Sequence, residues 1–64
     1  MKAYHVSKKA TNTTLEEKIK LLETCDVEEL LYIKRETEDY PHDYDKEIVI
    51  AVINNLFAKG ITCL

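Results

Sequence analysis

One proline, Pro41, and one glycine, Gly60, are the only strong chain breakers in 64 residues. Sheets need tight turns, and a chain with so few turn formers has little material to make them, which argues for helices. A proline pushes the residue before it out of the α region, so one helix has to end at about Tyr40. Gly60 follows Lys59 and suits the left-handed cap of a later helix, with the lysine near the negative end of the dipole.

Start signals divide the remainder. Thr13-Thr14-Leu15-Glu16 reads as a capping box, in which the threonine accepts from the Glu16 amide and the glutamate reaches back. Leu15, Ile19 and Leu22 then share a face, widened by Leu21 and Cys25, while Glu16, Glu17, Lys20 and Glu23 take the other side. Asp26-Val27-Glu28-Glu29 repeats the signal, so a second helix is expected after a sharp turn, with Val27, Leu30, Leu31 and Ile33 as its apolar stripe. One continuous helix over 14–38 is the rival arrangement.

The third pattern is wider. At 100° per residue, Ile48, Val49, Ile50, Val52, Ile53, Leu56 and Phe57 cover an arc of roughly 200°, about twice the minimum apolar stripe. One neighbouring helix does not cover that. Either this helix is the centre of the fold, or Val49, Ile50, Ile53 and Phe57 form a self-association face of a homo-oligomer. The β-branched run Ile48–Ile53 also suits a strand, but the length through Lys59 and the polar edge Asn54-Asn55 favour helix.

The expected fold is therefore all-α: one small domain over 1–64, a compact three-helix bundle with helices at about 14–25, 27–38 and 44–59 and the first two antiparallel. Residues 1–12 read as an extended basic arm. Ala3-Tyr4-His5-Val6 has moderate strand propensity, and Ile61-Thr62-Cys63-Leu64 is able to pair with it as a minor two-stranded ribbon.

Composition limits function. With 45% hydrophobic residues and a net charge of −3, the chain belongs with folded proteins rather than disordered tails. It has no apolar run near the roughly 18 residues of a membrane span and no signal-peptide core, so no membrane partner is expected and the cytoplasm is the default compartment. Cys25 and Cys63 are too few for a disulfide framework and match no zinc spacing. His42 with Asp39, Asp43 and Asp45 sketches a metal site on paper, but a single histidine in a loop reads better as a solvated turn, and no metal or cofactor is expected. Acidic Asp26, Glu28 and Glu29 oppose thiolate formation at Cys25. Lacking any phosphate-cradling glycine loop as well, the chain is not expected to be an enzyme.

The functional signal is the segment Glu36–Glu47, with six carboxylates against one lysine. Asp and Glu are costly to bury unpaired, so this connector belongs at the surface. Tyr32, Arg35, Glu36, Glu38, Asp39, Tyr40, Asp43, Tyr44 and Asp45 make up an acidic, aromatic surface suited to a larger protein with a basic face. Tyrosine and arginine anchor interfaces, and acidic rims speed encounter with basic partners. An equal alternative is that one or more of the tyrosines fold back over the core. These features point to a small inhibitor, antitoxin-like factor or adaptor. The runner-up is a DNA-associated transcriptional regulator that dimerises through helix three and uses Lys2, Lys8 and Lys9. Each helix carries at least as many acids as bases, so nucleic acid is the weaker reading.

Overall fold

The structure, a computed structural model, describes the backbone of residues 2–62 and the side chains of residues 3–62. It is all helical: α1 (Lys2–His5), α2 (Leu15–Glu23), α3 (Val27–Asp39), a 3-10 turn (Pro41–Asp43) and α4 (Lys46–Ala58).

The three long helices lie close to where their start signals set them. Thr14, in extended conformation, is the N-cap of α2 and accepts the Glu17 amide at 3.2 Å. The cap thus pairs Thr14 with Glu17, one residue later than the expected Thr13 with Glu16, and the Glu17 carboxylate accepts from the Thr14 hydroxyl at 3.3 Å. Two threonines followed by two glutamates satisfy either register, and the Thr13 hydroxyl donates instead to the Ala10 carbonyl at 3.3 Å. Asp26 caps α3 as expected, its carboxylate accepting from the Glu29 amide at 2.8 Å. Only Thr24, Cys25 and Asp26 separate α2 from α3, which excludes a continuous helix over 14–38. Asp45 precedes α4 in extended conformation but makes no side-chain capping bond.

At the far end of α4, Gly60 has φ +89°, while its amide donates to the Phe57 carbonyl and the Ile61 amide to that of Leu56. These two bonds are the Schellman pattern, which requires a left-handed residue after the cap. Ile61 closes over the core beside it.

The core is built from one row per helix. Ile48, Val52 and Leu56 of α4 are buried against Leu22 and Cys25 at α2 and Leu30 and Ile33 of α3. α4 contacts both α2 and α3, making it the central element. Lys18 belongs to the buried row of α2 at 6% exposure. Its spacing of four and seven residues from Leu22 and Cys25 puts it on the inner face, where the alkyl stem serves as apolar cover. Leu31, expected in the α3 stripe, is instead 42% exposed, and Thr37 takes an inner position with its hydroxyl bonded to the Lys34 carbonyl at 2.6 Å.

The N-terminal segment departs from expectation. It is neither an extended arm nor a strand. α1 packs on α3, with Ala3 and Val6 inside the core cluster. Burial of that small pair outweighs the strand propensity of Tyr4 and Val6. No strand occurs among the described residues, and the ribbon's Cys63 and Leu64 lie outside them. The bundle is therefore three long helices with a short fourth, and its radius of gyration of 10.6 Å is that of a compact globule.

α4 is only partly covered. Ile50 and Phe57 are 54% and 48% exposed, and Val49 and Ile53 are half-buried. Among the described residues no helix is long and apolar enough to cross a membrane.

Candidate functional site

The connector after α3 is shaped by its backbone bonds. Tyr40 ends the helix, its amide donating to the Glu36 carbonyl at 2.8 Å, and Pro41 then opens a 3-10 turn closed by the Asp43 amide on the Tyr40 carbonyl at 3.0 Å. Pro41 suits this position because its fixed φ and missing donor cost nothing in a first turn. Tyr44 follows in extended conformation and is 7% exposed, with its ring in the core.

The N-terminal segment is held to this connector. The Lys8 amide donates to the Asp43 carbonyl at 2.6 Å. Ser7, itself buried, donates its hydroxyl to the Tyr4 carbonyl at 2.7 Å and accepts the Lys9 amide at 3.3 Å, fixing the turn. Lys8 Nζ lies 4.0 Å from Asp45 Oδ1 and Lys9 Nζ 3.8 Å from Asp43 Oδ2. These side chains are well exposed, so the pairs add little stability, but they lower the free charge on both partners.

Between the two segments lies an open groove of about 420 Å³. One wall is Tyr32 and Glu36, one turn apart on the outer face of α3. Tyr40, Asp43 and Tyr44 close one end, and Ala3, Tyr4, Ser7 and Lys9 form the other side. Tyr4, Tyr32 and Tyr40 are 54%, 45% and 56% exposed, whereas Tyr44 forms the base. Tyr4 also meets His5 edge to face with ring centroids 5.7 Å apart.

The field in the groove is negative. Burial pushes the Tyr44 hydroxyl above its ordinary pKa, and the charges of Glu36 and Asp43 and the neighbouring Tyr32 push it further the same way. That hydroxyl therefore stays protonated at neutral pH and faces carboxylates. Among the described residues, no group of three His, Cys, Asp or Glu side chains is arranged to hold a metal ion.

Of the nine residues read from the sequence as a binding surface, the groove brings five together: Tyr32, Glu36, Tyr40, Asp43 and Tyr44. The other four are elsewhere. Arg35 and Asp39 are exposed, Glu38 pairs with Lys34 along α3, and Asp45 stands before α4 beside Lys8. The two alternatives for the tyrosines both hold, since Tyr44 folds over the core while Tyr32 and Tyr40 face solvent. Tyr4, Ser7 and Lys9 were not anticipated in the site. The available signal was the apolar pair Ala3 and Val6, three apart, which fits one face of a helical turn.

The chain matches no known protein-family model, and no curated protein or solved structure gives a significant match to it.

Proposed function

We propose that this chain is a non-enzymatic interaction factor, of the inhibitor, antitoxin-like or adaptor kind, which binds the basic face of a larger protein in the cytoplasm. The observation that carries the reading is the convergence of three solvent-facing tyrosines with Glu36 and Asp43 on one groove. Such rings provide contact area at low entropic cost, and the acidic field steers a basic partner. A self-association face on α4, centred on Ile50 and Phe57, accompanies this activity.

The DNA-binding alternative draws less support from the same geometry. Lys8 and Lys9 lie beside Asp45 and Asp43, which offsets part of the charge those two lysines would offer phosphates.

The test compares capture from a lysate of the source cell by wild type and by a Glu36→Gln/Asp43→Asn variant of unchanged helical CD. A protein retained by the first and lost by the second is expected, with association slowing as salt rises from about 0.1 M to 1 M and the Debye length falls from about 10 Å to 3 Å. Equal retention by both, or retention of nucleic acid instead, would sink the reading.

A further inference from the structure

The groove holds two polar groups that the fold leaves unused. Tyr44 is more than nine-tenths buried, yet its hydroxyl makes no hydrogen bond to any described residue. No fully buried side-chain nitrogen or oxygen is unpartnered among those residues, so this hydroxyl keeps some exposure, on a residue that lines the groove. The carboxylate of Glu36, half-buried on the same wall, likewise makes no hydrogen bond or ion pair within the described chain. Lys9 reaches Asp43 but not Glu36. Two carboxylates thus face one ammonium, and the groove remains short of positive charge. Its walls are the exposed rings of Tyr4, Tyr32 and Tyr40.

We propose that the groove is a receptor for an arginine side chain of the partner protein, whose guanidinium donates to the Glu36 carboxylate and the Tyr44 hydroxyl and lies flat against a tyrosine ring. This rests on the reading of a basic protein partner and names the residue through which that partner is held. Arginine fits better than lysine for three reasons. Its donors form a planar fork that serves two acceptors at once, its delocalised cation is more weakly hydrated, and its flat face stacks on aromatic rings. A lysine ammonium is a strongly hydrated point charge, and a groove this open replaces little of its water. The groove's volume of about 420 Å³ falls in the usual range for small-ligand sites.

Lys9 is then a competitor rather than a ligand. It lies across Asp43 and offsets part of the field an incoming guanidinium would meet, so its removal should strengthen binding.

The experiment is an NMR titration of the intact chain with Nα-acetylarginine amide, against its neutral isostere Nα-acetylcitrulline amide and the lysine counterpart. Saturable shifts are expected at Tyr32, Glu36, Tyr40 and Tyr44 with arginine, weaker ones with lysine, and none with citrulline. Hydrogen bonds to charged groups contribute enough that Glu36→Gln should weaken arginine binding about tenfold or more. Tyr44→Phe should weaken it by less, and Lys9→Ala should tighten it, all with unchanged helical CD. Absence of saturable shifts at the groove, equal binding of citrulline, or preference for lysine overturns the proposal. If the arginine probe fails while capture of a basic partner still depends on Glu36 and Asp43, guanidinium recognition is wrong and the broader function stands. Should the probe bind as described while capture ignores those residues, the groove is an arginine site and the broader function falls.

Discussion

At Tyr44 the backbone turns a ring inward and leaves a hydroxyl among negative neighbours. Ionisation there is resisted first by burial and then by Glu36 and Asp43, so the folded pKa lies above that of the unfolded chain, which is about 10. Stability tied to this group is therefore complete below about pH 10 and declines as pH rises through the folded value. Thermal unfolding of wild type and Tyr44→Phe across about pH 8 to 12 should give curves that separate toward the alkaline end, wild type losing more than the phenylalanine variant. Parallel curves would acquit the hydroxyl. The caps give a second prediction at this scale. Thr14→Ala and Asp26→Ala should each cost about 1 kcal/mol, because each strands a helix-start amide. Thr13→Ala should cost clearly less, since its hydroxyl caps nothing. Urea midpoints at constant slope decide the order, and a larger loss at Thr13 than at Thr14 would restore the earlier register. That one-residue offset shows how far side chains alone can be read: a Thr-Thr and Glu-Glu pair encodes two equivalent boxes, and packing of the inner row chooses. Lys18 is the converse case, where spacing pointed inward and residue type pointed out.

α2, α3 and α4 were legible because each is long enough to display a period and carries its own start or stop signal. α1 was not. Four residues cannot establish a period, and a helix that short does not form alone in water. It exists because Ala3 and Val6 find an apolar surface on α3, a fact about residues some thirty positions away. Val6 is fully buried, so Val6→Ala should cost about 1.5 kcal/mol from two lost methyl groups. It should also loosen the groove, seen as faster amide exchange at Ser7 and Lys8. A neutral substitution would mean that α1 rests on the bundle without belonging to its core.

For the molecule as a whole, the wide arc of α4 resolves into an inner row and an outer one. Ile48, Val52 and Leu56 satisfy the core, while Ile50 and Phe57, seven residues apart, share a face that no described helix covers. The proposed self-association face rests on these two side chains, and a symmetric dimer, the commonest closed assembly, is the expected form of it. Sedimentation equilibrium in the micromolar range should find a dimer for wild type and a monomer of unchanged CD for Ile50→Glu. Val52→Asp should simply unfold, because it puts a charge in the core. A monomeric wild type would dismiss the self-association face. The groove was half legible at this scale. Its α3 and connector residues are clustered in sequence and chemically conspicuous, whereas its opposite side is assembled from the chain's beginning by tertiary contact.

That assembly makes the groove a property of closure between distant segments, and the Lys8 amide bonded to the Asp43 carbonyl is its fastening. One proton therefore records whether the two sides are together. Any guest that spans them binds only the fastened form and must shift the balance toward it, by an amount that grows with occupancy. Solvent exchange at Lys8 thus becomes an internal clock for recognition: its slowing on addition of a ligand would count bound molecules directly.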